Sequence, residues 1–306
     1  MDEVISRSVG ISYPAINASD MAAIHLVTPP IEEQSAIAAF LDRETAKIDA
    51  LVAEQQRLIE LLEEKRQAVI SHAVTKGLNP DVPMKDSGIE WLGGVPGHWG
   101  VVPIKHLGRL KGGAGFPHNE QGVEGAELSF HKVNALAQAS SNGILLPSEN
   151  TITRDTATQL GAFVFPPGSI VFAKVGAALL LGRIRMLGED ACLDNNMMGL
   201  VVFQPEHQIG FVKYAMSLVR FDLIANPGAV PSLNEAQIGN FPLAIPRPEE
   251  QSSIAAFLDR ETAKFDELTA EAQRIIALLQ ERRTTLISAA VTGKIDVRAT
   301  RLAEAA

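Results

Sequence analysis

Cysteine is nearly absent: Cys192 is the only one in 306 residues. That excludes a disulfide framework and a cysteine-based zinc site, and it suits a reducing compartment. Aromatic residues are sparse, at 5%. No apolar run reaches about 18 residues, so no transmembrane span is expected. The start, Met1-Asp2-Glu3-Val4, lacks a basic segment leading into an apolar one, so no secretory signal is expected. Excess positive charge is lacking too, because the net charge is −9. That argues against coating nucleic acid through bulk charge, but a local patch stays open. These absences point to a soluble, cytoplasmic protein with no membrane partner. What is present suffices for a core: 46% of residues are hydrophobic and 21% charged. At roughly 150 residues per unit, about two units are expected.

The strongest feature is an internal repeat. Glu32 to Thr75 aligns without gaps to Glu249 to Thr292, at an offset of 217, with 31 of 44 positions identical. Such a period is far too long for a solenoid. The repeat extends weakly upstream, where Pro14, Asn17, Leu26 and Pro29 match Pro231, Asn234, Leu243 and Pro246. The order reads as a tail, a helix, a full globular unit and a second helix.

Each copy is helical by pattern. The first shows a heptad seam of Ile48, Leu51, Gln55, Leu58, Leu62, Lys65 and Val69. The second shows Phe265, Leu268, Ala272, Ile275, Leu279, Arg282 and Leu286. Flanking Ile59, Leu61, Ile276 and Leu278 widen the apolar face. Prolines precede each copy, and Gly77 and Gly293 follow. A helix over residues 43–75 would be about 50 Å long. Two such helices should pack together, most simply antiparallel, with the polar seam members helping to set register. A plain dimerisation coil would share the periodicity. Recurrence of Asp42, Arg43, Glu44 and Thr45 at exposed-type positions argues instead that both copies meet equivalent partners.

The middle, 85–246, has short apolar runs cut by Gly and Pro, which read as strands. Examples start at Val101, Gly143, Ala162, Ser169 and Gly199. Helical character falls at Ile209–Ala225 and Leu233–Gly239, the latter with Ser232 as a plausible N-cap. No βαβ alternation occurs, so the expectation is α+β. Only −2 of the net charge lies here, from 11 Lys/Arg against 13 Asp/Glu. Cations cluster at Lys105, Arg109 and Lys111 beside Gly112-Gly113-Ala114-Gly115, at His131-Lys132, and at Lys174, Arg183 and Arg185. Glycine-rich loops beside cations suit close approach to phosphate, although ordinary turns and solvated charge give the same pattern.

Catalytic equipment is hard to find. Gly293-Lys294 is followed by Ile295, so it is no P-loop. His118 stands where a dinucleotide-binding loop needs its third glycine. Ser8 and Ser71 lie in no nucleophile elbow. The histidines lack metal-ligand spacing. Asn226-Pro227-Gly228-Ala229 and Phe165-Pro166-Pro167-Gly168 both miss the Asn/Asp-Pro-Pro-aromatic motif of a DNA amino-methyltransferase. Glu63-Glu64-Lys65 lies on the heptad helix, without a carboxylate strand for a nuclease.

Three stretches carry a resemblance: Ile89 to Trp99 (IEWLGGVPGHW), Pro231 to Gln251 with its Pro-Ser-Leu-Asn and Pro-Arg-Pro-Glu-Glu-Gln ends, and the duplicated Ile-Ala-Ala-Phe-Leu-Asp-Arg-Glu-Thr-Ala-Lys helix. In this order they cover nearly the whole chain. The chain resembles the specificity (S) subunit of type I restriction–modification systems, and Gly168 to Gly176 looks like that family's central strand and turn. The resemblance implies an α+β fold: a strand-rich target recognition domain flanked by two long helices forming an antiparallel coiled coil. It divides the chain into a remnant tail of a first recognition domain (1–31), a helical region (32–76), a linker (77–84), the recognition domain (85–246), a second helical region (247–294) and a tail (295–306).

The resemblance also implies a role without catalysis. Recognition domains read halves of a split site in double-stranded DNA, and the helices dock adenine-N6 methyltransferase (M) subunits. An endonuclease (R) subunit joins for cleavage. No cofactor is expected in this chain: S-adenosylmethionine belongs to M, and ATP and Mg to R. Candidate DNA contacts, by position in loops, are Lys111, Gly113, Lys132, Lys174, Arg183, Asn195, Asn196 and Asn234. Asn195-Asn196 equally suits a turn, and Asn234 a cap. One recognition domain stands where the family carries two, and a self-dimer would restore the pair with a symmetric site. A scaffold or decayed fragment that binds M without reading DNA is the alternative, and a silent recombination cassette a third.

Overall fold

The structure, a computed structural model, describes Val4 and residues 15–25, 28–140 and 142–297. Pro14 and Leu26 of the upstream match, Ser8, and residues 298–306 of the tail lie outside the described residues. A short helix α1 (Ala18–Ala22) precedes the long helix α2 (Ile31–Lys76). Strands β1 (Met84–Asp86), β2 (Gly94–Pro96), β3 (Gly100–Pro103), β4 (Gly108–Gly112), β5 (Leu128–His131) and β6 (Thr151–Ile152) come next. They are followed by β7 (Ile170–Ala173), β8 (Arg185–Met186), β9 (Ala191–Leu193), β10 (Met197–Val202) and β11 (Pro242–Ile245). Between them lie α3 (Arg154–Gln159), α4 (Ala177–Leu180), α5 (Ile209–Met216), α6 (Phe221–Ile224) and α7 (Glu235–Gly239). The long helix α8 (Pro248–Val291) follows β11.

The chain divides into two compact units, Leu58–Glu271 and, from both ends, Met1–Arg57 with Ala272–Ala306. Both long helices contribute to each. In the larger unit, β4-β10-β7-β8 form an antiparallel sheet in that order. A second sheet, β6-β5-β9, pairs β5 with β9 in parallel. Strand β11 returns to β3 with Leu243 opposite Val102. The mixed strands and long helices make the protein α+β.

The apolar runs behave unequally. Those at Val101, Ser169 and Gly199 become strands β3, β7 and β10. Those at Gly143 and Ala162 do not: the first makes only bridges through Ile144 and Leu145, the second only Phe165 to Ala191. The expected helix over 209–225 is broken at 217–220. Helix α7 is capped by Asn234, not Ser232: Asn234 accepts from the Gln237 amide while Gln237 reaches back, a complete capping box. Ser232 is held in bridges with Val175 and Asn226. At the same offset of 217, Asn17 caps α1 by accepting from the Asp20 amide.

The heptad seam also needs correction. Ile48, Gln55, Leu62 and Val69 are buried or half-buried, but Leu51, Leu58 and Lys65 are exposed, and Val52, Ile59 and Arg66 take their places. In the second copy Leu268 and Arg282 are exposed, and Thr269, Ile276 and Arg283 are half-buried. Two ion pairs accompany the shifted face. In the larger unit Arg66 pairs with Asp266, and in the smaller unit Arg283 Nε donates to Asp49 Oδ1 at 3.1 Å. The offset turns Asp49 into Asp266 and Arg66 into Arg283, so this is one contact made twice. Its reversed order, 49 with 283 and 66 with 266, is that of antiparallel helices. Partly exposed pairs of this kind add little energy, but each aligns one helix against the other.

The sheets meet the helices at Trp99, which is 1% exposed. Its ring lies edge-on to Phe211, and its Nε1–H donates to Glu250 Oε1 at 3.1 Å. The other Glu250 oxygen, Oε2, lies 2.7 Å from His98 Nε2. Glu250 is in the first turn of α8, where the helix dipole favours an anion. Around Trp99 one core joins Ile70, Ala73 and Val74 of α2, Ile254, Ala255 and Leu258 of α8, and the inner faces of β4, β7 and β10.

Trp99→Phe keeps most of the apolar burial and removes the indole donor. It should cost about 1.5–3 kcal/mol, the range of a hydrogen bond to a charged group. Glu250→Ala should cost a similar amount, and the double variant at least about 1 kcal/mol less than the sum. Urea unfolding of the four proteins reads this coupling; strictly additive losses would show that the bond does not tie the two elements.

Candidate nucleic-acid interface

Seven of the eight predicted positions share one strip of the larger unit. Lys111 is half-buried on β4, opposite Gly199 of β10. Gly113 follows, donating to the Met197 carbonyl at 3.0 Å. A Cβ at Gly113 would stand 2.0 Å from the Asp194 carbonyl oxygen, so only glycine lets these two backbones meet. Asp194 begins the turn between β9 and β10. Its Oδ1 accepts from the Asn196 amide at 2.8 Å, while Asn195 is exposed at the tip. The Asn196 carbonyl accepts from Lys174 N at 2.8 Å, and the Lys174 carbonyl from Leu233 N at 2.9 Å. Asn234 comes next, exposed at the start of α7. Glu235 closes the circuit by accepting from the Gly112 amide at 3.0 Å.

Lys132 follows directly after β5. Its Nζ donates to Gln121 Oε1 at 2.7 Å and lies 5.2 Å from the Phe116 ring centre. The eighth position, Arg183, is exposed in the loop after α4 and lines a separate cleft. The strip is therefore an edge where lysines, glycine backbone and asparagine amides lie together. Such groups can hold phosphates by charge and base edges by paired donors and acceptors.

Beneath the strip, His131 is 2% exposed, and its Nδ1 has no partner among the described residues. Burial pushes its pKa down to about 4, against the opposing charge of Glu189. Burial also raises the Asp194 carboxyl, opposed by hydrogen bonds from Asn196. Cys192, in the neighbouring strand β9, is lifted to about 11 by burial and is an inert packing group. Glu235, Asp194 and Gln121 went unmarked in the sequence. Only the contacts of their backbones and side chains reveal them, although a carboxylate just after an N-cap is itself a helix-start signal.

Two outcomes test this reading. Gly113→Ala should destabilise the protein by about 1–3 kcal/mol through forced backbone displacement, seen as a lower thermal midpoint. An unchanged midpoint would show that the close approach is dispensable. His131 stays neutral in the folded protein, whereas in the unfolded chain it gains a proton below about pH 6.5. The stability it permits is full above that pH and falls as pH drops toward about 4, by about 3 kcal/mol. Urea midpoints from pH 7.5 to 4 should fall less steeply for His131→Asn than for the parent; parallel curves would contradict a neutral histidine.

With the strip in place, comparison with known proteins identifies the family. Residues 96–279, more than half of the chain, match the type I restriction modification DNA specificity domain. The chain is 22% identical over 302 residues to the type I restriction enzyme MjaVIII specificity subunit of Methanocaldococcus jannaschii, covering 96% of this chain and 67% of that protein. It is 20% identical over 293 residues to the putative type I restriction enzyme MjaX specificity subunit of the same organism, covering 94% and 63%. A chain from a structural study of complex assembly and conformational transition in the type I R-M system superposes with a TM-score of 0.70 at 17% identity, over 92% of this chain and 65% of that one. This chain thus spans about two thirds of the length of those relatives. By its fold and its matched domain, the chain belongs to the type I restriction–modification DNA specificity family.

Proposed function

We propose that this chain reads DNA sequence for a type I restriction–modification complex and performs no chemistry itself. The carrying observation is that the matched specificity domain holds Lys111, Lys174, Asn195, Asn196 and Asn234 on one connected edge. In this reading the cations Lys111, Lys132 and Lys174 hold backbone phosphates. Asn195 and Asn234 stand exposed beside them as candidates for base edges. Methyltransferase subunits supply adenine-N6 methylation with S-adenosylmethionine. An endonuclease subunit supplies cleavage with ATP and Mg. The site of action is the cytoplasm. Among the described residues, no helix is long and apolar enough to cross a membrane.

The two helix copies differ in what covers them, and α2 has a face on which a second recognition domain, such as that of a self-dimer, would fit. In α8, Gln251, Ile254 and Ala255 are buried beneath the sheets, and Gln251 Oε1 accepts from the Gln208 amide at 2.8 Å. The equivalent residues in α2 are Gln34, exposed, Ile37, half-buried, and Ala38, exposed. A recognition domain from a second copy would meet the same side chains there.

Co-expression with cognate methyltransferase subunits should produce adenine methylation at one motif, read by methylation-aware sequencing. A palindromic motif is the signature of the self-dimer. Lys111→Ala and Lys174→Ala should each lower DNA affinity several-fold without changing that motif, as phosphate contacts do. A stable complex that methylates no motif would overturn the reading in favour of a scaffold.

A further inference from the structure

Away from the strip, the larger unit contains a cleft of about 1100 Å³ that the sequence did not announce. One wall is the helix pair, with Arg66 of α2 and Asp259 and Asp266 of α8. The opposite wall comes from the sheet region, and its charged residues are Arg183, Arg185 and Lys213, all cations. The helix-wall charges are partly engaged: Asp266 pairs with Arg66, and Asp259 Oδ1 accepts from the Tyr214 hydroxyl at 2.7 Å. Glu63 and Glu267 also line the helix side.

The cationic wall is only partly satisfied. Arg185 Nη1 donates to the carbonyl of its neighbour Ile184 at 3.0 Å, and its Nε is buried with no partner among the described residues. Lys213 Nζ donates to the Asn142 carbonyl at 3.2 Å and lies 4.5 Å from the centre of the Tyr214 ring. Among the described residues no carboxylate forms an ion pair with Arg183, Arg185 or Lys213. A partly buried guanidinium facing other cations is costly unless an anion joins it. Burial, then Arg183 and Arg66, hold Arg185 below its usual range. Lys213 is lowered chiefly by burial, with Asp259 opposing and Arg66 and Arg185 adding to the fall. Guanidinium groups suit phosphate because their forked donors match its oxygens.

We propose that this cleft is a phosphate-binding site, in which Arg183, Arg185 and Lys213 grip phosphate groups independently of base sequence. The phosphates come either from the DNA backbone beside the bases that the strip reads or from a free nucleotide. The first source rests on the proposed reading of DNA; the second does not.

The test uses the full chain and compares it with Arg185→Gln/Lys213→Gln and with the exposed single variant Arg183→Gln, which guards against misfolding of the double variant. Arg154→Gln, remote from the cleft, is the control. One arm measures duplex affinity across 50–200 mM salt. Loss of two phosphate contacts should flatten the slope of log K against log salt by about 1.8, and loss of one by about 0.9, with the preferred motif unchanged. The other arm measures thermal midpoint with ATP or pyrophosphate at constant ionic strength. A rise in the parent that is absent from the variants assigns the site to a free ligand. Variants that match the parent in both arms overturn the proposal, even if the parent reads a motif. A parent that binds pyrophosphate through these residues but reads no motif keeps the cleft and removes the DNA reading.

Discussion

A single partly buried hydrogen bond, from the Trp99 indole to Glu250, ties the strands and the long helices into one core. The donor sits at the end of the β2 turn and the acceptor in the first turn of α8. Glu250 also holds His98, so one carboxylate gathers two consecutive side chains of the loop before β3. Strand β3 then pairs with β11, and β11 leads directly into α8. The chain comes off α2 at Gly77 beside this corner and leaves the sheets into α8 at it. The register of β3 against β11 and the starting point of α8 are therefore set together.

The near-identical repeat leads to unequal environments. The Gln251 side chain bonds both the Gln208 amide and the Pro246 carbonyl, and it is 1% exposed. Its equivalent, Gln34, bonds the Pro29 carbonyl in the same way at 2.8 Å but stays exposed. The local bond is thus written into the helix start, whereas burial depends on what packs against it. Val74 and Val291 show the same split at the other helix end: 2% and 59% exposed. Local geometry is inherited from sequence; solvent exclusion is contributed by the neighbouring domain.

Much of this was legible in the sequence, and the misses have physical causes. The long helices and their pairing followed from periodicity and duplication, because a repeating apolar stripe needs only local information. The seam itself was misplaced by one residue at several turns. Apolar size favoured Leu51, Leu58 and Leu268, but Val52, Ile59 and Thr269 take the inward positions, and Arg66 and Arg283 on the same face pair with aspartates of the facing helix. Strands paired along their length, β3, β7 and β10, were readable, while 143–147 and 162–165 carried equally apolar runs that find only isolated bridges. The candidates were chosen by position in loops, but Lys111 lies on strand β4, and what joins the strip is bonding across β4, β9, β10 and α7, which no spacing encodes. Arg185 illustrates the limit: it was visible as a cation, but its missing partner is a property of three-dimensional surroundings.

The arginine–aspartate contact made twice has a genetic consequence. Each helix supplies one arginine and one aspartate, at positions that coincide under the 217-residue offset. Exchange of coding sequence between the two repeats would return the same residues to the same places. A chimaeric helix that joins the first half of one copy to the second half of the other would therefore keep its arginine and its aspartate, and both contacts with them.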